Sequence, residues 1–154
     1  MKVLVCGSRD YKDRGMVWSI LEGFYRIEEV GWMSAHVTPF FLIEGGAKGA
    51  DYFASQWATI GGPFAIAKSD GWWAQVEDEI IPFPDEMPKI HIQMKAHWDK
   101  YGRSAGPIRN RYMLDLKPDV VIGFSNDIQN SKGTKDCLGE AKKRGIKTIL
   151  IGEF

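Results

Sequence analysis

The chain has 154 residues, enough for one domain with a full hydrophobic core. Apolar residues make up 44% and charged residues 26%, proportions that exclude a disordered or membrane-embedded chain and fit an ordinary globular domain. Lys plus Arg and Asp plus Glu number 20 each, so no broad basic surface for duplex nucleic acid is expected, only room for one local basic pocket.

In chain order, residues 2–6 (KVLVC) read as a short β-branched strand, broken by Gly7-Ser8-Arg9-Asp10. Val17, Ile20, Leu21, Phe24 and Ile27 recur at helical spacing and predict a helix over 15–30. Residues 40–44 predict a second strand and 48–60 a second helix. A weaker third strand falls at 64–67. A helix over 105–116 carries Pro107 near its first turn, where proline is tolerated. Residues 119–124 form the clearest strand, 134–144 a helix closed by Gly145, and 147–151 the last strand. Strands alternating with helices predict an α/β, Rossmann-like three-layer sandwich with a mainly parallel sheet of about five strands. The whole chain, 1–154, reads as one domain. Residues 69–96 break the alternation with Trp72, Trp73, Pro82, Pro84, Pro88 and the acidic run 77–79, and read as an insertion over or beside a pocket mouth.

The site candidates fall in four turns, all on the carboxyl edge of such a sheet, where ligands bind in this architecture. The first is Gly7, Ser8 and Arg9, a turn that suits a phosphate or ribose oxygen, with an arginine able to fork onto phosphate. The second is Gly45, Gly46, Ala47, Lys48 and Gly49, a glycine turn between strand and helix that predicts an anion held on backbone N–H groups. Asp51 follows in the first helical turn, where it either favours the helix dipole, holds a ribose hydroxyl or orients an arginine. The third is Gly106, Arg109 and Asn110 at a helix start, with Trp98 and Tyr101 nearby as stacking candidates for a nucleobase. The fourth is Lys132, Gly133 and Thr134, with Ser131 as an N-cap. Phe53, Trp57 and Trp18 sit at core spacing and predict packing. His36, His91 and His97 lack a Cys or carboxylate at ligand spacing, so no metal and no cofactor are expected. Cys6 and Cys137 read as reduced thiols in a chain that opens into a strand rather than a signal peptide, so the expected location is cytoplasmic.

Cys6-Gly-Ser-Arg9, the run from Ile43 to Asp51, Trp57-Ala58, the run from Trp98 to Asn110, Met113-Leu114 and Gly133-Thr134 together resemble the YspA-like, YpsA-related branch of the SLOG superfamily. That superfamily includes the LOG phosphoribohydrolases and the Rossmann domain of DNA-processing protein A. The resemblance implies a Rossmann-like domain that binds nucleotides or nucleotide-derived ligands, a homodimer, and a small protein of the phage or bacterial type, in the host cytoplasm if phage-encoded. LOG enzymes carry Pro-Gly-Gly-x-Gly-Thr-x-x-Glu, with the glutamate serving N-glycosidic cleavage. Here the run is Asn130-Ser-Lys-Gly-Thr-Lys-Asp-Cys137, with Glu140 one turn further on. A thiol cannot replace that carboxylate, so the expected function is binding, for sensing or sequestration, with no catalytic residue assigned. The alternative is a nucleotide hydrolase of phosphoribohydrolase or N-glycosidase type using Asp51, Glu44 or Glu140. Single-stranded nucleic-acid binding ranks last because the chain carries no basic stripe.

Overall fold

In the computed structural model, residues 1–35, 39–60, 64–69, 74–76, 87 and 89–152 are described. They form one seven-stranded sheet of order β4-β3-β5-β2-β1-β6-β7. The strands are β1 (Lys2–Gly7), β2 (Phe40–Glu44), β3 (Phe64–Ser69), β4 (Ala74–Val76), β5 (Lys89–Met94), β6 (Val120–Phe124) and β7 (Lys147–Ile151). The helices are α1 (Arg14–Ala35), α2 (Ala50–Ala58), the single turn α3 (Trp98–Tyr101), α4 (Ala105–Asp115) and α5 (Lys132–Lys143). All strand pairs are parallel except β3 with β4, at the edge. The five expected strands are present, in a Rossmann-like sandwich.

Side-chain alternation along β1 divides the core. Val3 and Val5 join Val17, Leu21, Ala54 and Trp57 on the α1–α2 face. Leu4 and Cys6 join Met113, Leu114, Cys137 and Leu138 on the α4–α5 face. Trp57 packs in the core as its spacing predicts, edge-on to Phe40 and Tyr25. The buried stripe of α1 is Val17, Leu21 and Tyr25, spaced by four. Ile27, expected on that stripe, is 70% exposed because two residues past Tyr25 turns it about 200° away.

The chief addition to the expected fold is β5. Residues 89–94 fall inside the expected insertion, yet they pair with β2 on one side and β3 on the other. Their sequence, KIHIQM, alternates polar and apolar. Lys89 and His91 are nevertheless buried, at 5% and 2% exposure, because the core supplies partners. The Lys89 ammonium lies 4.1 Å from the Trp57 ring centre and 4.9 Å from that of Tyr25, and donates to the Ile60 carbonyl at 2.9 Å. Burial pushes its pKa down. Trp72, Trp73, the three prolines and the acidic run lie outside the described residues, so the placement of that segment over the pocket mouth is not described. Among the described residues no helix is long and apolar enough to cross a membrane.

Candidate functional site

Strand β1 lies between β2 and β6, so the chain's excursions after β1 and after β6 leave on opposite sides. A crevice opens at the carboxyl end of such a switch in strand order. Here it is a cavity of about 680 Å³. Of the expected residues, Gly7, Ser8, Arg9, Ala47, Asp51, Gly106, Arg109, Asn110, Lys132, Gly133 and Thr134 line it. Gly45, Gly46, Lys48 and Gly49 are not among its lining residues.

The turn after β2 is closed by its own side chains. Gly45 N–H donates to Asp51 Oδ2 at 3.0 Å, Ala47 N–H donates to the same oxygen at 3.3 Å, and Gly46 N–H donates to Glu44 Oε2. Three successive amides expected to hold an external anion therefore hold internal carboxylates. Gly49, at φ 77°, caps α2, and a Cβ there would lie 2.2 Å from the Ser8 carbonyl. Only glycine lets the turns after β1 and β2 come this close. Arg109 closes the turn from above, with Nη1 donating to the Gly45 carbonyl at 2.6 Å and Nε donating to Asn110 Oδ1 at 3.1 Å. Asn110 is 3% exposed and donates to the Gly133 carbonyl and to Asp136 Oδ2, tying α4 to the start of α5. Arg109 and Asn110 thus line the cavity while their described bonds go to the protein itself.

The two carboxylates of this turn differ. Glu44 is fully buried, and its Oε1 accepts from His91 Nε2 and Gln93 Nε2, both at 2.8 Å. His91, which lacks a carboxylate partner at ligand spacing in the sequence, has one in space. Asp51 is 4% exposed and lines the cavity. Its Oδ1 has no hydrogen-bond partner among the described residues. Burial, then the charge of Glu44, push its pKa up from 3.8 to about 7, against the opposing pull of Arg109 and the two amides.

The loop after β6 is open. Ser8 Oγ lies 2.7 Å from both Ser125 Oγ and Ser131 Oγ, and those two are 2.8 Å apart. This ring of hydroxyls fastens the turn after β1 to the loop after β6 and to the entry of α5. Ser131 also donates to the Asp127 carbonyl at 2.9 Å. With its hydroxyl engaged there, Ser131 makes no side-chain cap to α5. The first main-chain bond into the helix runs from Lys135 N–H to the Ser131 carbonyl. Ahead of it stand Lys132, Gly133 and Thr134, all lining the cavity. The positive end of a twelve-residue helix is thereby presented to the crevice. The sequence reading named Ser131 only as a cap and did not find Ser125, Asp127 or Asp136. Single loop serines and aspartates carry no periodic signal, and the three serines come from two distant parts of the chain.

At the rim, the Arg9 guanidinium lies 5.8 Å from the Trp98 ring centre, and Trp98 is 48% exposed. Trp98 lines the cavity and Tyr101 is not among its lining residues. Cys137 is fully buried against the α4–α5 face. Cys6 and Cys137 are both free thiols, and the pKa of Cys6 is pushed well up by its hydrogen bond with Cys137 and by burial. Glu140 pairs with Arg144 and Arg111 and does not line the cavity.

A family model described as YspA, cpYpsA-related SLOG family matches residues 1–62, which include the turns after β1 and β2. The gene 61 protein of Mycobacterium phage D29 is 32% identical over 154 residues, covering 99% of this chain and 97% of that relative. The chain belongs to the YspA, cpYpsA-related SLOG family. No solved structure matches it. Within this SLOG chain, the family match ends at residue 62, whereas the phage relative extends the likeness through α4, the loop after β6 and α5.

Proposed function

We propose that this SLOG protein binds a phosphorylated, nucleotide-derived ligand in the crevice at the carboxyl edge of the sheet. The observation that carries the reading is the uncapped start of α5, with Ser131 turned away and Lys132, Gly133 and Thr134 facing the cavity. Helix amides, the helix dipole and a lysine together suit a phosphate. The Trp98 face at the rim suits a base, and the ring of Ser8, Ser125 and Ser131 holds the floor between them. Native mass spectrometry of freshly purified protein tests this, followed by calorimetric titration with nucleoside monophosphates. The expected result is a co-purified or added phosphorylated nucleoside bound one per chain. A site that takes up neither argues against the reading.

A second reading, hydrolysis of the ligand's N-glycosidic bond, has one observation in its favour. Of the three carboxylates suggested for that chemistry, Glu44 is consumed by His91, Gln93 and Gly46, and Glu140 stands outside the cavity. Asp51 lines the cavity with a pKa near neutrality, where a carboxyl serves as acid or base. Release of free base from nucleoside monophosphates, abolished by Asp51→Asn, would favour it over binding alone. Homodimer formation and location in a bacterial host's cytoplasm belong to the same proposal. Size-exclusion chromatography with light scattering tests the first.

A further inference from the structure

Among the described residues that line the cavity, Asp51 Oδ1 is a buried side-chain acceptor without a hydrogen-bond partner. Asp51 Oδ2 is fully engaged, accepting from Gly45 N–H and Ala47 N–H. Oδ1 has no partner, although the residue is 4% exposed and lines the cavity. Arg109, whose charge acts on Asp51, gives Nη1 to the Gly45 and Met94 carbonyls and Nε to Asn110 and makes no hydrogen bond to Oδ1. A buried carboxylate oxygen without a donor is costly, and one that belongs to a cavity-lining residue marks where a ligand's own donor belongs.

What that donor is follows from where Asp51 stands. A Cβ on Gly7 would lie 2.5 Å from Ala50 Cβ and 2.7 Å from the Phe124 carbonyl, so Gly7 is the floor between the start of α2 and the end of β6. The start of α5, proposed to hold phosphate, lies on the β6 side of that floor, and Asp51 on the β2 side. In a nucleotide the group next to the phosphate is the sugar, and the base lies beyond it. A ligand with its phosphate at Gly133 and Thr134 and its base at the exposed face of Trp98 carries its sugar across Gly7 toward Asp51.

Resting on the nucleotide reading of the site, we infer that Asp51 Oδ1 accepts a hydrogen bond from a ribose hydroxyl, so that the cavity selects ribonucleotides over deoxyribonucleotides. The charged groups around Asp51 agree. Glu44 and burial disfavour its ionised form, while Arg109 and the two amides favour it. A hydroxyl donor to Oδ1 adds to the second group and offsets the first.

The test is calorimetry at pH 8 with AMP, GMP, CMP and UMP against their 2′-deoxy and 3′-deoxy forms, on the unmodified protein and on Asp51→Asn. The asparagine oxygen can still accept from Gly45 and Ala47, while its amide group puts a donor where Oδ1 was. For the unmodified protein, loss of the contacted hydroxyl is expected to weaken binding about 10–100-fold. Asp51→Asn is expected to bring the ribonucleotide down to the deoxyribonucleotide's affinity and erase the preference. Equal binding of ribo and deoxy forms to the unmodified protein overturns the inference and leaves the nucleotide site standing. An undiminished preference in a folded Asp51→Asn also overturns it, since another group then reads the sugar. No binding by any of these nucleotides overturns the inference together with the site reading beneath it. The comparison on unmodified protein decides the matter even if the variant fails to fold.

Discussion

The turn after β2 and the loop after β6 each join a buried strand to a helix, and the structure treats them oppositely. The first holds Gly45, Gly46 and Ala47 N–H groups on Asp51 and Glu44, with Arg109 over the top. The second engages its would-be cap, Ser131, with Ser8 and Ser125 and leaves the start of α5 facing the cavity. Glycines permit an amide cradle, but the acids nearby decide whether it stays vacant. Glu44 and Asp51 bring anions of their own to the β2 turn. Among the described residues no such carboxylate is bonded to the start of α5, where Asp136 is taken up by Asn110.

The comparison is most sharply broken at Glu44. Its removal leaves the buried His91 without its acceptor, together with the half-buried Gln93 and the Gly46 amide. Glu44→Ala is expected to cost about 3–5 kcal/mol in urea unfolding. A loss under about 1 kcal/mol would show that the β2 turn does not depend on its internal acid.

Asp51 gives the next effect, and it depends on pH. Its pKa is raised from 3.8 to about 7 by folding, so the native state holds a proton that the unfolded chain gives up. The stability this confers is fully present below about pH 4 and is lost as pH rises through 7. Asp51→Asn, which cannot ionise, is expected to gain on the unmodified protein across that window, by about 4 kcal/mol at the top, and to hold a constant difference above it. Melting temperatures of both proteins from pH 4 to 8 check this. A difference independent of pH would place the Asp51 pKa in the ordinary carboxylate range.

Two glycines sharpen the contrast between the loops. Gly49→Ala meets the Ser8 carbonyl at 2.2 Å from a φ of 77°, and is expected to cost about 2–3 kcal/mol. Gly133→Ala meets nothing within 4 Å in the first turn of α5, and is expected to leave stability unchanged or raise it by about 0.5 kcal/mol. Chemical denaturation of the pair reads closed turn against open loop directly. Arg109→Ala falls between these two. It leaves the Gly45 carbonyl unpartnered and is expected to lower stability by about 1–2 kcal/mol, because the described bonds of Arg109 are internal.

The sequence made much of this fold legible, for definite reasons. Strands at 40–44 and 147–151 coincide with β2 and β7, and the β6 run VVIGF is buried at every position, which is what a continuous apolar stretch in a parallel sheet means. Strand β5 was hidden because its alternation, Lys89, His91 and Gln93 against Ile90, Ile92 and Met94, is that of a half-exposed strand, whereas it lies in mid-sheet. Its polar members are legible only beside Glu44, Ile60 and Trp57, which lie far off in sequence. In the site, glycines and arginines marked the right edge of the sheet. The residues that decide which turn is open, Asp51 with one free oxygen and Ser131 with its hydroxyl turned away, depend on partners from other segments.

In the proposed complex the ligand's phosphate sits at the start of α5 and not in the glycine turn after β2. Backbone amide shifts in ¹⁵N-labelled protein, followed during titration with a nucleoside monophosphate that binds, test it most directly. The account expects the largest shifts at Lys132, Gly133 and Thr134, with Gly45, Gly46 and Ala47 changing little because Asp51 and Glu44 already occupy them. Largest shifts at Gly45, Gly46 and Ala47, with α5 unmoved, would contradict it.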